Sequence, residues 1–462
     1  VSAGAACAEL EALLRAALAA VHGERLVREA VREEGGALVL AGRRIDPGAR
    51  LVVAAAGKAA PAMAAGLEAA AGARIARGWL VTRDGHADAA RAAGALPPTR
   101  WTVREAGHPV PDARSEAAAR ELLALAAATG PGDVLVLLLS GGASALLACP
   151  LPGLAGADLA AATRALLACG AAIDEVNAVR KHLADVAGGR LARAAGAGRI
   201  EVLAISDVPG DRFDVLGSGP CTPDPSRYED ALAVLARRGI AESFPAAARA
   251  HLEAGARGER PESPKPGDPA FARVRATRLA GNDTALEAAA AAARQRGLSV
   301  VTLPGALRGE ARRAGVRLAG LARALRPRVS TLLLAGGETT VTLRGDGHGG
   351  RSQELALAAA LALAGSQGVT LLAAGSDGSD GPTDAAGACV DGATVARAQA
   401  RGLDPRAALA RQDSHSFFSA AGGLVRTGPT GTNVMDLALI RVAPGGGGAR
   451  PNLPIPVASE SV

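Results

Sequence analysis

The stretch VLVLLLSGGAS, residues 134–144, decides the fold class. Six successive apolar residues leave no polar face, so the run reads as a strand buried on both sides. It breaks off in a polar, glycine-rich turn. The same pattern recurs outward in both directions. Apolar runs at 37–40, 51–55, 79–81 and 202–205 read as strands, and so do those at 274–279, 298–303, 331–334, 341–343 and 369–373. Stretches with helical spacing at 5–35, 116–128, 175–194, 283–294, 310–325 and 352–364 are interleaved with them. Strands alternating with helices specify a largely parallel sheet covered on both faces, an α/β fold. Residues 255–270, GARGERPESPKPGDPA, carry four prolines and no apolar period. They read as a linker or surface loop between two α/β domains, at 1–254 and 271–442, with a flexible glycine- and proline-rich tail at 443–462.

Composition narrows the class further. At 462 residues the chain exceeds a single ordinary core. The net charge of +6 comes from scattered arginines, and aromatics make up only 2%, so the dense basic stripe with stacking platforms of a nucleic-acid surface is missing. No apolar stretch reaches bilayer length, and no basic-then-apolar leader opens the sequence, so no membrane partner is expected. Five dispersed cysteines form no CxxC pair, which argues against zinc and for a reducing compartment. The expected location is therefore cytoplasmic. The oligomeric state is not encoded legibly.

Function concentrates in glycine-rich turns at strand ends, where open α/β sheets bind ligands and backbone amides can approach phosphate oxygens. These turns are Gly57-Lys58; Gly107-His108-Pro109; Ser140-Gly141-Gly142-Ala143-Ser144; Ser206–Asp211 with Gly217–Pro220; Gly336–Thr340; and Gly375–Gly381. Gly57-Lys58 is not a Walker A loop, because Val52 stands at the first glycine position and Ala59 replaces the metal-binding hydroxyl. Ser144 lacks the second glycine of a nucleophile elbow. Gly345–Gly350, GDGHGG, does match GxGxxG, and it is the best sequence ground for a dinucleotide-dependent reductase. The preceding TVTL alternates polar and apolar residues, as an exposed edge strand does, which weighs against that reading. Lysine occurs only at 58, 181 and 265, among many arginines. A compact ammonium that can follow a moving phosphoryl group is not replaceable by a guanidinium, so Lys58 and Lys181 stand out.

Taken together, GKAAPAM (57–63), GHPVPD (107–112), LLSGGASALL (138–147), VRKHLADVAGGRLA (179–192), ISDVPGD (205–211), GSGPCTPD (217–224), AGGETTVTL (335–343), GGRSQELAL (349–357), AAGSDGSDGPTDAAGA (373–388) and GPTGTNVMD (428–436) resemble the glycerate 2-kinase family. Its C-terminal part is the MOFRL domain. The resemblance runs from about residue 8 to 440, and departs at Met435, where a second asparagine is expected. It implies an N-terminal Rossmann-like doubly wound sheet and a C-terminal MOFRL domain with a mixed sheet. It further implies ATP as cosubstrate with Mg²⁺, D-glycerate as acceptor and 2-phosphoglycerate as product, with the reaction in the cleft between the domains. Lys58, Asp207 and Arg351 are the expected catalytic residues. Ser140, Gly141, Gly142, Ser144, His108, Lys181, Glu338 and Asn433 are expected at substrate or phosphate, and Asp377 and Asp380 at metal. Hydroxypyruvate reductase is a name also used for such proteins, which makes NAD(P)H-dependent reduction the alternative.

Overall fold

Strand β4 (Leu51–Ala56) stands at the centre of the first sheet, after a small antiparallel unit of β1 (Val31–Glu34), β2 (Ala37–Leu40) and β3 (Arg43–Arg44). The computed structural model describes residues 3–92, 94, 96, 100–303 and 307–445; of the expected tail, residues 446–462 lie outside these. The sheet continues with β5 (Ile75–Arg83), β6 (Trp101–Ala106), β7 (Val134–Leu139), β8 (Arg199–Ile205) and β9 (Val274–Ala280) in the order β6-β5-β4-β7-β8-β9. Every pairing in it is parallel. Chain order runs outward in opposite directions from β4 and β7, which is the Rossmann arrangement. Both faces are covered, as the apolar runs require. Val53 and Ala55 meet Met63 and Leu67 of the helix Ala60–Ala71, while Val52 and Ala54 belong to the core of the helix Ala113–Ala127.

The second sheet is mixed. It contains β10 (Ser299–Thr302), β11 (Thr331–Gly337), β12 (Val369–Gly375), β13 (Gly387–Asp391), β14 (Leu424–Val425) and β15 (Asp436–Val442). Their order is β10-β11-β15-β12-β13-β14, with β15 inserted antiparallel between β11 and β12. The insertion sets Asp436, the first residue of β15, beside Gly337 and Gly375, the last residues of its neighbours. A functional carboxylate is thus delivered to the same sheet edge as two glycine turns.

Several sequence expectations are corrected. Residues 255–270 do not divide the sheets, because β9, beyond them, pairs with β8. They form an ordered strap on a helical excursion: Ser263 donates to Asp224 at 2.8 Å, and the Tyr228 hydroxyl donates to the Pro261 carbonyl at 3.2 Å. The first domain does not begin at residue 1 either. Leu10, Leu13 and Leu14 of the helix Ala3–Ala20 share a core with Leu372 and Leu439 of the second sheet. Glu9 pairs with Arg441 at 2.7 Å, and Cys7 is disulfide-bonded to Cys389 on β13. A separation of 382 residues hides that pair from any spacing rule, and it opposes the reducing-compartment reading.

The helix expected over 5–35 ends at Ala20 and resumes at Gly23, whose amide donates to the Gly431 carbonyl at 3.0 Å, before turning into β1 at Val31. The helix expected over 175–194 ends at Arg180 and resumes only at Arg190. Residues 341–343 form no strand, and Leu343 is 81% exposed.

Candidate active site

The first sheet's switch point lies between β4 and β7, and the turns that follow these strands interlock. Gly57 has φ 122°, and a Cβ there would stand 2.3 Å from Ser140 Oγ. Only glycine lets the two turns meet so closely. The Lys58 amide then donates to the Gly141 carbonyl at 2.9 Å, and the Ala59 amide donates to Ser140 Oγ at 3.0 Å. Ser140 is fully buried and spent on this joint, which makes it a scaffold residue and not the substrate contact expected. Gly141 serves the next turn. A Cβ there would lie 1.7 Å from Asp207 Oδ2 and 2.2 Å from Asn433 Nδ2, so its glycine makes room for a pair that joins the two sheets.

That pair is one of several side-chain ties between the turns of the two sheets. Asn433 Nδ2 donates to Asp207 Oδ2 at 2.8 Å, Lys58 Nζ donates to Asp377 Oδ2 at 2.6 Å, and Arg83 donates to Ser379 Oγ at 3.1 Å. Arg351 opens the helix Arg351–Leu363 and grips Asp436 with two parallel bonds, Nε to Oδ2 at 2.7 Å and Nη2 to Oδ1 at 2.9 Å. It also pairs with the more exposed Glu338. Asn282 locks β15 in place, donating to the carbonyls of Val434 and Asp436 at 2.7 and 3.2 Å.

Electrostatics separate these acids. Burial, aided by the charge of Glu338, pushes the Asp207 carboxyl up to about 6. Burial also works against ionisation of Asp377, but the Lys58 ammonium beside it holds that carboxyl down at about 2. One acid is thus poised to take a proton and the other is fixed as an anion. Burial, with the charges of Lys58 and Arg83, pushes His108 down to about 3, so its ring is neutral and available as a hydrogen-bonding group. Gly142 lies against both, since a Cβ there would be 3.3 Å from the His108 ring and 3.4 Å from Lys58 Cγ.

Two expected residues are occupied elsewhere. Lys181 is buried, with Nζ 3.3 Å from Asp224 and 3.7 Å from Asp214, in the helical excursion. Asp380 accepts from the amides of Ser352 and Gln353 at 3.0 and 2.8 Å, and from Gln353 Nε2 at 3.0 Å. It holds the start of the Arg351 helix, and its oxygens are committed. Ser144 lies in the short helix Ala143–Leu146 that follows the Gly141 turn, bonded at 2.8 Å to Ser218 Oγ. Among the described residues no group of three or more His, Cys, Asp or Glu side chains is arranged to hold a metal. Mg²⁺ needs no such cage, since it uses one or two carboxylates together with substrate phosphates. Glu338, the more exposed carboxylate beside Arg351, fits that pattern, and Asp377, whose oxygens accept from Lys58 and Ser379 here, could join it only by giving up one of those bonds.

Asp436, Arg83 and Asn282 are not among the residues that the sequence alone marks for the site. Asp436 closes the GPTGTNVMD motif, which was its available signal. The glycines of GDGHGG are explained by packing. Cβ atoms at Gly345 and Gly347 would stand 2.5 and 2.3 Å from the Arg411 carbonyl, and one at Gly349 would stand 2.2 Å from Ser414 Oγ. The loop follows no strand, so the dinucleotide fingerprint lacks its structural context.

Comparison with known proteins agrees with this geometry. Residues 9–253 match the family described as a domain of unknown function, DUF4147, and residues 331–436 match the MOFRL family. The D-glycerate 2-kinase of Thermotoga maritima is 40% identical over 395 residues, covering 84% of this chain and 90% of that protein. The chain belongs to the glycerate 2-kinase family. The crystal structure of the Thermotoga maritima glycerate kinase superposes with a TM-score of 0.77 at 36% identity, covering 95% of this chain and 100% of that one. An Agrobacterium vitis protein named as a hydroxypyruvate reductase is 44% identical over 403 residues, covering 86% of this chain and 88% of its own length. Within the glycerate 2-kinase family the GDGHGG loop of this chain gives the reductase name no structural support. Among the described residues no helix is long and apolar enough to cross a membrane.

Proposed function

We propose that the chain transfers the γ-phosphoryl group of ATP to the 2-hydroxyl of D-glycerate, giving 2-phosphoglycerate, in the cleft between the two sheets. The observation that carries this reading is the convergence of Lys58, Asp207 and Arg351. These come from the turns after β4 and β8 and from a helix of the second sheet, and the ties Lys58–Asp377 and Asp207–Asn433 draw them together. Phosphoryl transfer asks the protein mainly for positioning and for charge neutralisation. Lys58 supplies a mobile point charge. Arg351, held by Asp436, supplies a planar fork to the phosphoryl oxygens from a fixed position. Asp207, raised to about 6, accepts the proton of the acceptor hydroxyl. Neutral His108 hydrogen-bonds the acceptor beside it. Mg²⁺ bound with ATP would be held by Asp377 and Glu338, where it neutralises phosphate charge.

Abundant ATP favours the cytoplasm as the setting and the Cys7–Cys389 bridge weighs against it; we assign the cytoplasm on the need for ATP, with small molecules as the partners. Release of ADP tests the reading. ADP should form when ATP, Mg²⁺ and D-glycerate are all present, and hydroxypyruvate should cause no oxidation of NADH or NADPH. Cofactor oxidation with no ADP release would replace the kinase by the reductase.

A further inference from the structure

Arg180 and Lys181 are neighbours whose side chains part company. Lys181 turns into the excursion and is neutralised by Asp224 and Asp214. Arg180, the last residue of the helix Ile173–Arg180, has no carboxylate within ion-pair distance among the described residues. Among the described residues its one side-chain hydrogen bond is long, from Nη1 to Ser218 Oγ at 3.5 Å. Burial pushes the guanidinium down to about 10, and no negative neighbour offsets it. Arg180 keeps part of its surface in contact with solvent, yet a cation largely withdrawn from water without a counter-ion is still costly and calls for an explanation.

Donor accounting shows what it lacks. Ser218 gives its only hydroxyl proton to Asn177 Oδ1 at 2.8 Å, so Ser144, 2.8 Å away, must donate to Ser218. Among the described residues Arg180 therefore reaches only a lone pair of Ser218, which leaves most of its five N–H groups uncommitted there. Its charge is also one of those holding His108 neutral, which places it near the acceptor side of the cleft. Lys58 and Arg351, by contrast, stand among Asp377, Asp436 and Glu338.

We infer that Arg180 is the residue that grips the carboxylate of the acceptor, so that the enzyme selects an anionic 2-hydroxy acid over a neutral polyol. The inference rests on the glycerate reading above and adds its specificity determinant. A guanidinium matches a carboxylate with two parallel bonds, which a lysine could not supply. Ser144, fixed by Ser218, stands beside it in the short helix after β7. The substrate supplies the missing counter-charge, and the ligand-free protein tolerates the cation for that purpose.

The test is steady-state kinetics and thermal unfolding of Arg180→Gln and Arg180→Lys. The KM for D-glycerate should rise about 10²–10³-fold in R180Q, the cost of leaving one partner of a buried charge pair alone, with an intermediate rise in R180K. The KM for ATP should stay within about threefold of wild type, since uniform binding of the nucleotide is untouched. D-glycerate should raise the Tm of the wild type and not that of R180Q, whose ligand-free Tm should be no lower than wild type. An unchanged glycerate KM would overturn the assignment. A rise confined to ATP would reassign Arg180 to a nucleotide phosphate, and a lower ligand-free Tm or unfolding of both variants would make it structural. Failure of the wild type to phosphorylate D-glycerate would instead contradict the functional reading itself.

Discussion

Lys58 Nζ and Asp377 Oδ2 stand 2.6 Å apart, joining the turn after β4 to the turn after β12 across the two sheets. The same ammonium that is proposed to meet the phosphoryl group closes the cleft in its absence. Replacing it separates the two roles. Lys58→Ala should lower kcat about 10²–10³-fold, the usual cost of one electrostatic contact made to the transition state, while Lys58→Arg keeps part of the activity. Steady-state kinetics with circular dichroism as a fold check decides this. A folded Lys58→Ala with wild-type kcat would leave Lys58 as a cleft tie only.

Arg351 behaves differently because its geometry is fixed by Asp436. Arg351→Lys keeps the charge and loses both parallel bonds, so it should be nearly as damaging to kcat as Arg351→Ala. Asp436→Asn should also depress kcat, by about tenfold or more, through the loosened guanidinium. Measured kcat values for the three variants check the order.

Asp207 predicts a pH limb and a stability change of opposite benefit. If it takes the hydroxyl proton, kcat/KM should fall below about pH 6 with the loss of one ionisation, and Glu338→Gln should move that limb to lower pH by removing a raising charge. Because its folded pKa is raised from 3.8, the wild type loses stability as pH climbs from 3.8 to about 6 and does not regain it above. Asp207→Asn carries no such loss. It should therefore be more stable than wild type at pH 7, on the order of 1 kcal/mol after discounting for partial exposure, and not at pH 3. Urea unfolding at the two pH values checks the sign.

The Cys7–Cys389 bridge fastens the first helix to β13. Reduction, or Cys7→Ser, should lower stability by about 2–4 kcal/mol while leaving kcat within about twofold, because the bridge joins the helix Ala3–Ala20 to β13 and neither element carries Lys58, Asp207 or Arg351. Denaturant melts with and without reductant measure it.

The turns were legible because strand ends and glycines are local signals: the segments around Lys58, Ser140, Asp207 and Gly375 all lie where apolar runs stop. What they do to each other was not. Ser140, Lys181 and Asp380 look like site residues by position, yet they are consumed by the Ala59 amide, by Asp224 and by the amides of Ser352 and Gln353. Only long-range packing reveals that. β15 is not legible because Asp436 and Arg441 bracket its apolar run, and the sheet on which the first helix packs is not legible because its partners lie hundreds of residues later. Met435 is instructive in the same way. It sits at φ 68°, where asparagine is far more at ease, so the asparagine expected there suits a backbone conformation.

The most direct measurement is phosphorus NMR of the products formed from ATP, Mg²⁺ and D-glycerate. A transfer to the 2-hydroxyl, with Asp207 accepting its proton, predicts a single new phosphomonoester resonance that coincides with added 2-phosphoglycerate and grows in step with ADP. A resonance matching 3-phosphoglycerate would contradict the assigned acceptor hydroxyl. ATP left intact beside D-glycerate would contradict the kinase reading altogether.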